Sequence, residues 1–240
     1  MSLTSLVGIL FLSMNEERLK RMVFVLVSVA VGALFGDVFI HILPELYKNS
    51  ISPLTISMFV LIGILVFFIL EKFLRWHHHH GVDEESYHSI QENSHIGYIN
   101  LVSDGVHNFI DGVFIGIAYL VAIPVGIATT IAVLLHELPQ EIGDFGILIH
   151  SGFSKKKALL LNILSASGAI LGAILALLLG SNVEEFATPI LALTAGTFVY
   201  IAGSDLVPEL HKISDIKKST IQLLAVVIGI VLMYLLLFID

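Results

Sequence analysis

Two stretches of the chain collect side chains able to bind a metal ion or move a proton: "HNFIDG", His107 to Gly112, and "HELPQEIGD", His136 to Asp144. His107 and Asp111 stand at i and i+4, so one helix can offer both to one ion, and His136 and Gln140 repeat the spacing. Imidazole nitrogen mixed with carboxylate oxygen suits zinc, ferrous iron or manganese, whereas calcium and magnesium prefer oxygen alone. The chain has no cysteine, which excludes disulfides and thiolate metal sites. "HELPQ" also comes close to HExxH, the helix on which zinc proteases carry two histidines and a glutamate base. Here the second histidine is Gln140, and Pro139 inside the helix cannot donate to Leu135. No oxyanion-stabilising group or substrate groove is marked, so metal binding without bond cleavage is the expectation and no enzyme activity is assigned. An intramembrane metalloprotease and a carrier whose carboxylates relay protons are the alternatives.

These residues sit in very apolar surroundings. Of 240 residues 56% are hydrophobic and 13% charged, with a mean hydropathy of +0.94. A soluble domain carries about twice that charge fraction, which points to an integral membrane protein. From Trp76 to Ser154 there is no lysine or arginine. The same stretch holds Asp104, Asp111, Glu137, Glu141 and Asp144 with His107, Asn108, His136 and Gln140. A lone carboxylate in the bilayer centre costs several kcal/mol, so these must be protonated, hydrated or bound to a cation. At about 100° per residue, Asp104, His107, Asn108 and Asp111 share an arc of roughly 100°. His136, Glu137, Gln140 and Asp144 share a similar one, with Glu141 just outside it. Two polar faces at matching depth predict a site between two helices.

The elements that position them are membrane spans of about 20 apolar residues. Candidates fall near 1–13, 22–46, 53–73, 97–120, 123–150, 157–180, 186–210 and 220–239, the first being short for a full crossing. No cleavable signal peptide is expected, because the first segment lacks a basic leader and a small-residue cleavage site. Eleven of the twelve basic residues follow the first, third, fifth and seventh spans; only Lys48 lies on the other side. The positive-inside rule then makes those loops cytoplasmic and both termini external. Gly32/Gly36, Gly112/Gly116 and Gly168/Gly172 have the spacing that lets helix backbones approach closely. The second span ends in "HILPEL" (His41 to Leu46) and the seventh in "DLVPEL" (Asp205 to Leu210), with Gly32 opposite Gly196. Those spans run in opposite directions, as in the inverted repeats of transporters, which hold substrate near the midplane. His41 and Glu45 near one face, and Asp205 and Glu209 near the other, make a ladder across the membrane. Asp104, Glu141 and Asp144 extend it.

Together, "HNFIDG" and "HELPQEIGD" resemble the paired signatures of the ZIP family of divalent metal transporters, in the branch with HExP(H/Q)E in its fifth helix. "GDVFIHILPE" (Gly36 to Glu45) and "AGTFVYIAGSDLVPE" (Ala195 to Glu209) are similar to the family's second and seventh helices, so the likeness spans essentially the whole chain. The resemblance implies an all-α bundle of eight transmembrane helices forming one domain over 1–240, with inverted pseudo-symmetry and metal moving toward the cytoplasm. It also implies a binuclear centre. One site would use His107, Asp111, His136 and Gln140, the last standing where many members have histidine. The other would use Asn108 and Glu137, with Asp111 or Gln140 bridging. Zinc is the expected cargo, with iron, manganese and cadmium as alternatives and no organic cofactor.

A histidine-rich cytoplasmic loop, 74–96, joins the third and fourth spans and is expected to accept or sense arriving metal through His77, His78, His79, His80, His88 and His95. The expected partners are the metal ion and the bilayer, without nucleic acid; a homodimer is left open. The expected location is the cytoplasmic (plasma) membrane.

Overall fold

The computed structural model describes residues 15–48, 51–79, 90–180, 184–212 and 214–238, and among these every regular element is helical. Helix α1, Glu16–Gly36, continues through a π-helical segment, Asp37–Ile42, into α2, Leu43–Lys48. Then come α3, Pro53–His79; α4, Ile90–Val121; α5, Ile123–His150; α6, Lys155–Ala166; and α7, Gly168–Leu179. Helix α8, Glu184–Tyr200, passes through a second π-helical segment, Ile201–Leu206, into α9, Val207–His211, and α10 closes the order at Ile216–Leu236. Seven stretches of the described residues are long and apolar enough to cross a membrane. They coincide with seven of the eight predicted spans; the eighth, near 1–13, lies outside the described residues. The predicted loop 74–96 is narrower than expected, because nothing between Lys72 and His79 breaks a helix and α4 already begins at Ile90. His80 and His88 lie outside the described residues, as do the side chains of His77, His78, His79 and His95.

Side-chain caps start three helices beside basic residues. Asn15 accepts from the Glu17 N–H at 2.7 Å, Ser154 from Lys157 and Asp215 from Lys218 at 2.9 Å. Each satisfies a donor that the first turn leaves without a partner. Between the ends, α3, α7 and α10 turn outward leucines, isoleucines and valines such as Leu61, Leu178 and Ile228, each more than half exposed. Apolar surface on that scale fits contact with lipid.

Glycines set the spacing of the bundle. A Cβ on Gly112 would lie 2.0 Å from the Ala169 carbonyl oxygen, and one on Gly172 2.0 Å from that of Phe109, so α4 and α7 touch backbone to backbone. The same contact recurs in a second, telling pattern. A Cβ on Gly32 would meet the Val226 oxygen at 2.0 Å, and one on Gly196 the Val60 oxygen at 2.0 Å. Gly229 meets Val29 at 2.3 Å, and Gly63 meets Leu193 at 2.2 Å. Residues of α1 thus correspond to those of α8 at a constant separation of 164 (32 to 196, 29 to 193). Residues of α3 correspond to those of α10 at 166 (60 to 226, 63 to 229). The α1–α10 contact and the α8–α3 contact are one arrangement used twice.

Both π-helical segments fall at the same place in this correspondence, Asp37 answering to Ile201. Two residues beyond each comes a proline, Pro44 or Pro208, whose ring crowds the carbonyl four residues back, that of Ile40 or Ser204. Both carbonyls lie inside the π segments, where the wider turn makes room. Pro139 and Pro189 lie within α-helix, so a proline permits the wider turn without requiring it.

Candidate metal centre

Helices α4 and α5 bring four donors together in the middle of the bundle: His107, Asp111, His136 and Glu137, with their ligand atoms all within 4.8 Å of one another. His136 Nε2 is 3.1 Å from Asp111 Oδ2 and 3.4 Å from Glu137 Oε1. His107 Nε2 is 3.6 Å from Asp111 Oδ2, 3.4 Å from Glu137 Oε1 and 3.5 Å from His136 Nε2. Donors bound tetrahedrally at about 2.0–2.1 Å from zinc lie about 3.3 Å apart, and these five separations fall around that value. Asp111 and Glu137 are fully buried, and His136 is 1% exposed. Although the carboxylate oxygens approach the imidazoles closely, neither Asp111 Oδ2 nor Glu137 Oε1 makes a hydrogen bond of good geometry. Both oxygens stay open for a cation, while His107 Nε2 and His136 Nε2 approach each other within hydrogen-bond reach at 3.5 Å.

The protonation that this requires is supported from the next layer. His136 Nδ1 is 3.4 Å from the Ala132 carbonyl, to which it can only donate, which leaves Nε2 as the lone-pair nitrogen. Phe67 and Phe198 lie edge-on to His107 and His136, with ring centroids 5.7 and 6.3 Å away, and wall off the imidazoles. Three buried oxygens in and beside the quartet have no hydrogen-bond partner among the described residues: Asp111 Oδ1, Glu137 Oε2 and Asn108 Oδ1. Each such acceptor costs about 1–3 kcal/mol, more for a charged group, so their grouping calls for a cation.

A cavity of about 250 Å³ adjoins the quartet. It runs from His107 and Gln140 past Ser103, Asp104, Asn100 and Asp144 to Glu71 and Asp205, with Phe67 and Leu70 as its apolar wall. Lys72 borders Glu71 in sequence, and Lys155 to Lys157 follow α5, so the cavity lies toward the basic end of the bundle. The opposite end is packed with Leu34, Val38, Phe114, Ala128, Ala132 and Leu191, all buried in one apolar cluster.

The sequence-predicted residues divide accordingly. Glu137 joins the quartet with His107, Asp111 and His136, while Gln140 lines the cavity next to His107. Asn108 gives its amide nitrogen to Asp104 Oδ1 at 2.9 Å. Asp104, Asp144 and Asp205 face the cavity. Glu141 is held by Asn162 of α6, whose amide donates to its side-chain carboxylate and to its backbone oxygen. His41 is 4% exposed and its Nε2 donates to the Met233 carbonyl at 2.8 Å. Glu45 and Glu209 form ion pairs with Lys48 (2.7 Å) and Lys212 (2.5 Å), again at corresponding positions. Four polar residues escaped the sequence reading: Asp37, Glu71, Asn100 and Asn162. Asp37 is fully buried and accepts from Thr129 Oγ1 at 3.0 Å. Asn100 and Asn162 each face a carboxylate of α5, and the absence of lysine or arginine from that stretch was the available signal that neutral donors must brace the acids.

Known proteins resemble this chain along most of its length. A family model described as ZIP Zinc transporter matches residues 1–95 and 76–237. The chain is 38% identical to zinc transporter ZIP13 of Pongo abelii over 230 residues, covering 90% of this chain and 67% of that one. It is 34% identical to a zinc transporter ZIP13 homolog of Drosophila melanogaster over 274 residues, covering 89% and 77%. Zinc transporter zipt-7.1 of Caenorhabditis briggsae matches at 31% over 278 residues, covering 88% and 70%. With its motifs, its apolar helices and these matches along nearly its whole length, the chain belongs to the ZIP zinc transporter family.

Proposed function

We propose that this protein carries a divalent transition metal, zinc first, across the membrane to the cytoplasm through the centre on α4 and α5. The carrying observation is the quartet of His107, Asp111, His136 and Glu137, ligand atoms within 4.8 Å of one another, in a stretch without lysine or arginine. The dication neutralises two buried carboxylates that otherwise cost several kcal/mol each. Iron, manganese and cadmium suit the same nitrogen–oxygen set. The relatives' names as zinc transporters favour zinc.

The centre is binuclear in this reading. The first ion takes Asp111 Oδ2 and Glu137 Oε1 with the two imidazoles. The oxygens then left over, Asp111 Oδ1, Glu137 Oε2 and Asn108 Oδ1, hold the second, with Asp111 and Glu137 bridging. Gln140, a neutral ligand beside His107, receives the ion as it moves into the cavity. The positive-inside rule makes the basic, cavity-bearing end cytoplasmic and both termini external, with eight spans when the segment near 1–13 is counted. Metal enters past His41 and leaves past Asp104, Asp144 and Asp205, while the histidine-rich segment accepts it in the cytoplasm. The plasma membrane is the proposed location.

Reconstituted vesicles holding a zinc-sensitive dye test this. Zinc outside should raise the signal for the wild-type chain and leave Asp111→Ala vesicles dark. Cleavage of a peptide without metal flux would favour a protease instead, and proton flux indifferent to metal a proton carrier.

A further inference from the structure

Four carboxylates that the midplane centre does not use line the cavity, Glu71, Asp104, Asp144 and Asp205, and two of them, Asp104 and Asp144, are built alike. Asp104 is 3% exposed and Asp144 8%. In each, one oxygen is held by an asparagine amide: Asn108 donates to Asp104 Oδ1 at 2.9 Å, and Asn100 to Asp144 Oδ1 at 2.9 Å. In each, the other oxygen, Oδ2, is buried without a hydrogen bond of good geometry among the described residues, although Ser165 and Gln140 stand beside Asp104. Both residues line the same 250 Å³ space, which has room for about eight water molecules at roughly 30 Å³ each. Two anions facing one chamber repel each other, and the asparagines fix the carboxylates without neutralising them. A cation shared between their free oxygens resolves the repulsion.

We propose that Asp104 and Asp144 form a separate all-oxygen cation site, completed by water, in which the cargo ion rests after leaving the imidazoles. This deepens the transport reading and rests on it. Asp104 lies three residues from His107 and Asp144 seven from Glu137 along their helices, roughly 4.5 and 10.5 Å at 1.5 Å per residue. That is far enough for the site to be occupied independently. Without nitrogen donors it holds a borderline ion such as zinc more loosely than the quartet does, and it takes manganese readily. Binding therefore weakens stepwise toward the cytoplasm, the order that release requires. Asn100 is a positioning residue, orienting Asp144 as partners of metal-bound carboxylates do.

Manganese provides the probe. Anomalous scattering from wild-type crystals soaked in Mn2+ should place an ion in direct contact with Asp104 Oδ2 or Asp144 Oδ2; a map with no peak there overturns the proposal. In equilibrium binding, Asp104→Asn/Asp144→Asn should lose one Mn2+ while keeping midplane zinc. Asp111→Ala should lose midplane zinc while keeping the cavity ion. Asn100→Ala should weaken Mn2+ binding about tenfold and leave midplane zinc unchanged. If the double variant binds Mn2+ like the wild type, the cavity site is wrong and the midplane reading stands. If Asp111→Ala leaves midplane zinc unaltered, it is the transport reading that falls.

Discussion

The two π-helical segments share a length, a following proline and a place in the repeat, yet they live in opposite surroundings. In Asp37–Ile42 the residues Asp37, Val38, His41 and Ile42 are buried and Phe39 is exposed, with His41 bonded to Met233 of α10 and Asp37 to Thr129 of α5. In Ile201–Leu206 only Ile201 and Ala202 are buried, Gly203 and Ser204 are exposed, and Asp205 faces the cavity. Met233 corresponds, at the separation of 166, to Phe67, which lines that cavity. Like local sequence has therefore produced like backbone, while packing at one end is shut and at the other is parted. The difference teaches that access to the centre is set by what packs against each segment. It is not written into either segment.

Removing the shared cargo site should have the largest consequence. Asp111→Ala deletes one ligand of the quartet, and flux in the dye assay should fall at least about a hundredfold, since losing even a supporting partner costs about 10–100-fold. Retained flux would divorce both halves of the comparison from the centre between them. Next comes the packing on which the correspondence rests. Gly32→Ala and Gly196→Ala each drive a methyl into a backbone oxygen, and thermal unfolding in detergent should register about 1–3 kcal/mol of destabilisation for each. Clearly unequal losses would break the equivalence of the α1–α10 and α8–α3 contacts.

The closed end offers a smaller effect. Thr129→Val removes the donor to a buried carboxylate, costs about 1–3 kcal/mol, and should loosen the shut face. Thiol labelling would sharpen this. Ser204→Cys should react readily from the cavity-bearing face, whereas Val38→Cys should react only after Thr129→Val. Smallest of all is the change at Gln140. Gln140→His adds an imidazole where the ion passes into the cavity, so zinc should bind severalfold tighter and turn over more slowly. Unaltered affinity at neutral pH would remove Gln140 from the path. Acidification should weaken zinc binding in the wild type, because protons compete for the same lone pairs, and more steeply in Gln140→His, which adds a titrating ligand.

Much of this was legible beforehand, for reasons that differ by feature. Hydropathy marks the spans because lipid demands a continuous apolar run, and the described helices follow those runs closely. The 100° rule located the polar faces of α4 and α5. It favoured Gln140 over Glu137 as the partner of His136, because i+4 neighbours align along one helix. Glu137 also joins His136 in the quartet, and only tertiary packing decides which neighbours on one helix reach the same point. The π segments were invisible because Pro44 and Pro208 look like ordinary helix ends until the chain is seen to continue through them. Asp37, Asn100 and Asn162 look, taken singly, like helix-packing contacts. Their meaning depends on which carboxylate or hydroxyl stands across the interface. Span six was expected to be one helix, but α6 ends at Ala166 and α7 begins at Gly168, where a Cβ would press the Gly105 oxygen at 2.7 Å.

Zinc-edge anomalous scattering from the wild-type protein at saturating zinc addresses the core of the account. An ion should appear about 2.0–2.2 Å from His107 Nε2, His136 Nε2 and an oxygen each of Asp111 and Glu137. A map with no zinc among those four side chains, their acids bonded to neighbours instead, would contradict it.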